Sequence, residues 1–254
     1  MLSVLVVVHE AGHMFVAKFF GIRVDEFGLG FPPRLKKLFR WRKTDFTLNW
    51  LPFGGFVKIF GENPSNKVEE ITHDSFQYKS RGVQAAVLVA GVVFNLLFAW
   101  VLFSIVLMLG IEGQAGFVKH SFFGSIYHGL MTAGKLGWMI IESLGLFVFQ
   151  AFQGQANFAE IIGPIGLVGF IGEAAKDGLS YVLYFTALIS LNLSIVNLLP
   201  IPALDGGRLL FVIIESIRRK SISPKVFNMV NMVGFAFLII LMLVVTLRDI
   251  GHLL

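Results

Sequence analysis

The sequence predicts an all-α membrane protein with about four transmembrane helices and a cytoplasmic β-hairpin that dips towards the membrane. Of its 254 residues, 56% are hydrophobic and only 15% are charged, and the mean hydropathy is +0.76. A water-soluble domain of this composition would lack the polar surface that contact with water requires. Several apolar runs also reach the roughly 20 residues that a helix needs to cross the hydrocarbon core. We therefore expect one membrane-embedded domain that covers 1–254.

Four apolar runs are the predicted membrane spans. They lie at about 1–21, 83–110, 181–204 and 229–247. Two weaker stretches, 136–152 and 161–172, contain a charge or are broken by glycine and proline. Each could lie at the interface, re-enter the membrane, or cross it as one of a pair. We expect neither to cross, although a crossing pair would raise the count from four spans to six.

The basic residues predict the orientation of the chain. Eleven of the 21 Lys and Arg residues lie within 22–82 and five lie within 206–227, whereas only three lie within 111–180. Because cytoplasmic loops carry an excess of Lys and Arg, we expect the first two loops in the cytoplasm and the third on the opposite side. This orientation requires an even number of crossings between the second and third spans.

The long cytoplasmic loop contains a predicted β-hairpin over about 44–59. Phe46, Leu48 and Trp50 alternate with polar residues, and proline and glycine within 52–55 are typical of a turn. The apolar face of this hairpin has too few partners for a water-soluble core. We therefore expect the hairpin to dip into the membrane beside the active site.

His9, Glu10 and His13 form an HExxH motif inside the first predicted span. Residues four apart lie on one face of a helix, so both imidazoles can bind one Zn²⁺, and Glu10 is placed to activate the attacking water. The alternative is a pair of buried helical histidines with no metal. Burying an ionisable side chain in the membrane costs roughly several kcal/mol of free energy unless the side chain has a partner or a function. This cost favours the metal site over unpaired histidines.

A catalytic zinc usually has three protein ligands, so one more is needed at the same depth. The chain has no cysteine, which leaves His, Asp and Glu. Asp205 follows a proline-containing run at the cytoplasmic end of the third span, where the helix must break. An Asp-Gly-Gly sequence by itself indicates an ordinary turn, but the missing ligand favours Asp205, with Glu142 as the next candidate.

These motifs resemble the site-2 protease family of intramembrane metalloproteases, and most closely its bacterial regulator-of-sigma-E type. The HEAGH of 9–13 is combined with the NLLPIPALDGG of 197–207, which is a specific pairing. Further family-like segments lie at 28–31, 54–58, 91–95 and 163–166. The chain departs from that type in one respect, because it has no stretch of PDZ length between the second and third spans.

The resemblance implies the roles of the site residues. His9, His13 and Asp205 would bind zinc, and Glu10 would be the catalytic acid and base. Asn197 would contact the substrate or the oxyanion, although an Asn that hydrogen-bonds between helices is an equal alternative. The other predicted substrate-binding residues are Asn95, Phe46, Leu48, Gly54 and Gly55.

The expected function is that of an intramembrane zinc endopeptidase that cleaves transmembrane segments of single-span proteins. By resemblance, the substrates are anti-sigma factors or remnant signal peptides, and the protein lies in the bacterial inner membrane with its active site towards the cytoplasm. The expected partners are these substrates and the lipid bilayer, with no nucleic acid. The alternatives are a divalent-metal transporter, which needs ligands along a path open to both faces, and a catalytically inactive scaffold.

Overall fold

The computed structural model describes residues 1–62, 72–110, 119–155 and 163–253. The elements in chain order are α1 Leu2–Phe19, β1 Val24–Trp41, β2 Thr44–Ile59, a 3₁₀ helix Phe76–Tyr78, α2 Arg81–Leu109, α3 Phe122–Phe152, α4 Pro164–Lys176, α5 Leu179–Leu198, α6 Asp205–Arg218 and α7 Pro224–Leu253. They form two compact units. The first contains Met1–Asn95 and Val196–Gly234, and the second contains Leu96–Ile195 and Phe235–Leu254.

Five of the described helices are long and apolar enough to cross a membrane: α1, α2, α3, α5 and α7. Four of them match the predicted spans, and the fifth, α3, includes the stretch 136–152 that we did not expect to cross. With 31 residues, α3 is about 46 Å long. In contrast, α4 has 13 residues and cannot span about 30 Å of hydrocarbon. Length and composition therefore give five candidate spans instead of four.

The sheet differs from the predicted hairpin. β2 does cover 44–59, but it pairs antiparallel with β1, a strand that the sequence analysis did not predict. The chain reverses at Arg42 and Lys43, which both have positive φ (47° and 70°), and not at 52–55. The prediction of a hairpin within 44–59 was wrong, because the two halves of this segment pair with β1 and not with each other. β1 was not predicted because it contains glycine, two prolines and several basic residues, and such a composition is unusual for a strand.

The register of the sheet decides which backbone edges are covered. Residues 26–29 have partners in both 45–48 and 55–58, and 45–48 also pair with 36–40. Thr47 and Leu48 therefore have neighbours on both sides, so this part of β2 has no free edge. In contrast, the partners recorded for 55–59 all lie in β1, and this part of β2 lies next to α1.

The core of the first unit joins α1, both strands, α2 and α6. Its buried apolar residues are Met14, Ala17, Ile22, Val24, Phe27, Ile59, Phe76, Val87, Leu88 and Val212. Gly12 allows α1 and α2 to approach closely, since a Cβ on it would lie 2.5 Å from the carbonyl oxygen of Ala90. This close packing fixes the face of α1 that carries both histidines.

The second unit contains its own core between α2, α3 and α5. The buried residues of α3 are Ser125, Gly129, Ala133 and Gly137, a stripe of small side chains at four-residue spacing that permits close helix packing. A Cβ on Gly129 would lie 2.4 Å from Ser104 Oγ of α2. In the same unit, Asp249 of α7 accepts a hydrogen bond of 2.8 Å from the backbone N–H of Gly166 in the first turn of α4.

Candidate metal centre

The first unit brings together the three residues that the sequence predicts as metal ligands. His9 and His13 lie one turn apart on α1, and each is only 6% exposed. Asp205 is the first residue of α6. Its Oδ2 lies 2.8 Å from His9 Nε2 and 3.2 Å from His13 Nε2, and the two Nε2 atoms are 3.2 Å apart. Among the described residues, this is the one group of three or more His, Asp and Glu side chains close enough to hold a metal ion.

The three donor atoms fit a tetrahedral zinc site. Nitrogen and oxygen ligands lie about 2.0–2.2 Å from zinc, so two ligands of a tetrahedral ion are about 3.3 Å apart. The separations of 2.8–3.2 Å among the three side chains are close to this value. Two neutral imidazoles, one carboxylate and a fourth position for water are also the donor set of catalytic zinc sites.

The second nitrogen of each imidazole also has a partner. His13 Nδ1 lies 2.8 Å from the carbonyl oxygen of Val87, which can only accept, so Nδ1 carries the proton and Nε2 is left to bind metal. His9 Nδ1 lies 3.3 Å from Asn95 Nδ2. When His9 Nε2 binds a metal, Nδ1 carries the proton, and rotation of the Asn95 amide by 180° presents its oxygen as the acceptor.

Gly91 leaves room for the metal. A Cβ at this position would lie 2.5 Å from His13 Nε2 and 2.7 Å from His9 Nε2, which is shorter than any ordinary contact. Gly91 and Asn95 are one turn apart on α2, so they face α1 together. This geometry explains the Gly and the Asn four residues apart in this segment. Gly91 places no Cβ in front of the Nε2 atoms, and Asn95 contacts His9.

Asp205 reaches the histidines because the chain before α6 folds tightly. Ala203 has a φ of 74°, and the next two residues after Asp205 are glycines in close contact with backbone. A Cβ on Gly206 would lie 2.2 Å from the carbonyl oxygen of Leu199, and one on Gly207 would lie 2.3 Å from that of Ile201. Substitution of either glycine would therefore move the start of α6 and its carboxylate.

Two ion pairs hold α6 at its ends. Arg208, in the first turn of α6, pairs with Glu62, and Glu215 pairs with Arg81 at 2.6 Å. The Asp205 carboxylate is charged in this setting. Burial raises its pKa, but His13 and His9, when they are protonated on Nε2 in the absence of metal, lower it by more, so the pKa lies well below the ordinary range.

Glu10 lies beside the metal-binding side chains but is not one of them. Its Oε2 accepts a hydrogen bond of 3.0 Å from the backbone N–H of Val57 in β2. Val57 is opposite Phe27 of β1, and its N–H points away from that strand towards α1. The sheet therefore contacts the predicted catalytic residue directly, through backbone atoms that leave no mark in the sequence.

The predicted substrate-binding residues are distributed over different parts of the first unit. Asn95 contacts His9, and Asn197 lies half-buried in the last turn of α5. Phe46 stacks on Phe39 within the sheet, with ring centroids 4.4 Å apart, and Leu48 lies in the interior of the pairing.

The two glycines of β2 have different neighbours. Gly55 lies beside α1, since a Cβ on it would be 3.5 Å from Val7, and it also packs closely on β1, since the same Cβ would be 2.9 Å from the carbonyl oxygen of Gly28. Gly54 has a φ of 72° and lies against the Phe31 ring of β1. Gly55 therefore lies between β1 and the helix that carries the HExxH motif.

Known proteins provide an independent comparison. The family described as Peptidase family M50 matches residues 1–241. A putative zinc metalloprotease of Clostridium perfringens is 31% identical, covering 98% of this chain and 96% of that protein. The zinc metalloprotease RasP of Geobacillus kaustophilus is 42% identical over 56% of this chain and 33% of that protein. A putative zinc metalloprotease of Helicobacter pylori is 28% identical, with 100% of this chain and 98% of that protein covered.

The length of the clostridial alignment is relevant to the PDZ-length stretch that this chain lacks between its second and third predicted spans. It extends over 329 positions, whereas this chain has 254 residues, so at least 75 positions of the alignment have no counterpart here. The relative therefore carries inserted residues that this chain lacks.

Proposed function

Because the chain belongs to the M50 family of peptidases, the site-2 protease family, we propose that it cleaves peptide bonds in the membrane-spanning segments of single-span proteins. The chain is a zinc metalloendopeptidase and an integral membrane protein with several spans. The observation that carries the proposal is the convergence of His9, His13 and Asp205, with two of these three residues on a helix apolar enough to cross the bilayer.

In this proposal His9, His13 and Asp205 hold the zinc ion. Bound zinc supplies Lewis acidity, which lowers the pKa of water and polarises a peptide carbonyl. The surrounding residues prepare the site: the Val87 carbonyl and the Asn95 amide orient the imidazoles. Gly91 keeps the space in front of both Nε2 atoms open.

Glu10 moves the protons of the reaction. One oxygen of its carboxylate accepts the Val57 N–H at 3.0 Å, which fixes the carboxylate beside the metal-binding atoms. The other oxygen takes a proton from the attacking water and later gives it to the departing amine. Glu10 is not among the metal-binding side chains, so its removal leaves the donor set complete.

The substrate must unwind before it can be cut, because a carbonyl inside a helix is already hydrogen-bonded to its own chain. We place the unwound segment along residues 55–59 of β2, whose outer edge is next to α1. Strand addition at such an edge uses main-chain hydrogen bonds. Gly55 lies beside Val7 of α1 at this edge, and Asn197 remains our candidate for a contact with the substrate carbonyl.

We further propose that the protein lies in a bacterial inner membrane with its active site towards the cytoplasm. The support is the charge distribution, since 22–82 and 206–227 hold sixteen of the 21 basic residues. Anti-sigma factors and remnant signal peptides are the substrate classes that fit this placement.

The test is cleavage of a model transmembrane substrate by the purified full chain. We expect Glu10→Gln to lower the cleavage rate by at least about a thousandfold, because general acid–base catalysis typically contributes that order, while about one zinc per chain is retained. Mass spectrometry of the products should place the cut inside the apolar segment. Zinc content is measured on the same preparation.

Two further variants make this test specific. Glu173→Gln removes an exposed carboxylate from α4 and should cleave like the wild type. Asp205→Ala removes a ligand and should lose zinc and cleavage together. Cleavage by Glu10→Gln near the wild-type rate, or a cut that lies only in water-exposed loops, would contradict the proposal.

A further inference from the structure

A basic cleft of about 210 Å³ lies at the end of α1, and the proposed reaction does not use it. Cationic side chains from three segments line it. Lys18 belongs to α1, Arg23 follows α1, and Arg42 and Lys43 form the turn between β1 and β2. Asp74 is the single carboxylate among the lining residues.

Three of these cations have no carboxylate partner within the part of the chain that the structure describes. No Asp or Glu oxygen of those residues lies within 4.0 Å of Lys18, Arg42 or Lys43, whereas Arg23 pairs with Asp25 at 2.8 Å. The cleft therefore has positive charge that its own residues do not neutralise.

Basic residues elsewhere on β1 behave differently. Arg34 pairs with Glu26 at 2.7 Å, and Lys37 and Arg40 both pair with Asp45, at 2.6 Å and 3.3 Å. The sheet thus provides a carboxylate for three of the four cations of its long arm, with Lys36 as the exception. It provides none for the two cations of the turn, although those lie at the end of the same strand.

The unpaired cations are also close to one another. Lys18 Nζ lies 4.0 Å from the centroid of the Trp41 ring, and Arg42 Cζ lies 5.5 Å from the same centroid. The ring attracts each cation, but two like charges on one ring repel each other. An anion in the cleft would remove this repulsion.

The conformation of the turn points in the same direction. Arg42 and Lys43 both have positive φ, the conformation of a two-residue type I′ hairpin turn, which strongly favours Asn-Gly. Positive φ strains a side chain such as Arg or Lys. Two basic residues at the positions where Asn-Gly would be more stable indicate that the charge itself is useful there.

The place of the cleft identifies the anion. α1 has 18 residues and is about 27 Å long, close to the thickness of the hydrocarbon core, so its end lies at the level of the lipid headgroups. Phe19, next to Lys18, is 84% exposed, and such a large apolar surface suits contact with lipid better than contact with water. We propose that this cleft binds the phosphate headgroup of an anionic phospholipid and so holds the β1–β2 turn on the membrane surface.

The experiment measures lipid binding to the full chain in an uncharged detergent by native mass spectrometry. The probes are dihexanoyl phosphatidylglycerol, dihexanoyl phosphatidylcholine and inorganic phosphate. We expect the wild type to bind phosphatidylglycerol at least about tenfold more tightly than phosphatidylcholine, the size of effect that two or three basic residues produce. The double variant Arg42→Asn/Lys43→Gly should lose this preference.

The double variant is chosen so that misfolding cannot explain the loss. Asn-Gly suits the observed turn, so its melting temperature should equal or exceed that of the wild type. Lys36→Gln/Lys58→Gln removes two exposed charges of the sheet outside the cleft and should keep the preference.

Undiminished phosphatidylglycerol binding by Arg42→Asn/Lys43→Gly would overturn the proposal. Equal affinity of the wild type for both lipids, or for inorganic phosphate and phosphatidylglycerol, would overturn the lipid assignment. None of these readouts depends on peptidase activity.

Discussion

At the scale of single residues, the candidate metal centre depends on the lack of a side chain at Gly91 as much as on the three candidate ligands. Gly91 has no Cβ, and this leaves the space that both Nε2 atoms face. The helix α2 could not lie at its present distance from α1 with any other residue there. The requirement is steric and local, so it can be tested without changing a ligand.

We therefore predict that Gly91→Ala weakens zinc binding by more than about tenfold, a loss of the size seen when groups around a metal ligand are disturbed. The added methyl group would lie 2.5–2.7 Å from the two ligand nitrogens and force the helices apart. Zinc content after dialysis against a chelator measures the effect. Gly82→Ala, where a Cβ meets nothing within 4 Å, is the matched control and should retain zinc. Full zinc retention by Gly91→Ala would show that α2 can shift freely.

Asn95 provides a second residue-level prediction. It contacts the nitrogen of His9 that faces away from Asp205, so Asn95→Ala should weaken zinc binding by about 10- to 100-fold. Asn95→Asp should restore most of the affinity, because a carboxylate accepts a hydrogen bond from Nδ1–H equally well. If Asn95→Ala changes only the KM for substrate and not zinc affinity, the side chain contacts substrate instead.

The sequence was sufficient to predict that His9, His13 and Asp205 come together, but not which groups orient them. His9, His13 and Asp205 could be found because HExxH and a proline-broken span are rare patterns with a chemical reason. Val87 and Val57 could not, since their carbonyl and N–H are backbone atoms that any residue except proline would supply. Which backbone atom contacts a site depends on packing, and packing is not visible in the residue pattern.

At the scale of elements, hydropathy predicted α1, α2, α5 and α7, whereas β1 and the full length of α3 were missed. β1 is half exposed and rich in Arg and Lys, so it has no regular alternation. α3 has a stripe of small residues at four-residue spacing, a signal for close helix packing that could have been recognised. Its first half is less apolar than its second, and so the predicted segment began too late.

The register of β2 leads to a prediction about proline. Val57→Pro removes an N–H that points away from β1, and edge positions of this kind tolerate proline. The sheet should therefore remain folded and zinc should be retained, while cleavage falls by at least about tenfold, because Glu10 loses the donor that fixes its carboxylate. The rate is measured on the transmembrane substrate together with zinc content.

Thr47→Pro is the contrasting variant for the sheet. Thr47 has neighbours on both sides and is fully buried, so proline there should destabilise the whole sheet by roughly 3 kcal/mol or more. A lower melting temperature should accompany any loss of cleavage. If Val57→Pro lowers the melting temperature as much as Thr47→Pro, residues 55–59 are not a free edge.

At the scale of the whole molecule, the number of crossings decides the side on which each loop lies. The basic loops 22–82 and 206–227 require an even number of crossings between α2 and α5. Of the two helices between them, α3 is long enough to cross and α4 is not. We therefore expect either that α3 does not cross the membrane or that a second crossing between α3 and α5 restores the even number.

Cysteine labelling tests this expectation, because the chain has no cysteine of its own. Cysteines at Lys119 and Gln155, which precede and follow α3, should both label from the non-cytoplasmic side. One at Lys67, which lies outside the described residues, should label from the cytoplasm. Labelling of Gln155 from the cytoplasm would show that α3 crosses the membrane and that a second crossing lies between α3 and α5.

The hydrogen bond between Val57 and Glu10 has a consequence for inhibitor chemistry. A compound that only chelates the metal leaves this bond intact and makes no hydrogen bond with the sheet. A compound with an extended backbone and a carbonyl opposite Val57 takes the same N–H and displaces the carboxylate from its fixed position. Combining the two features in one molecule would therefore exploit the candidate metal ligands and the strand edge together.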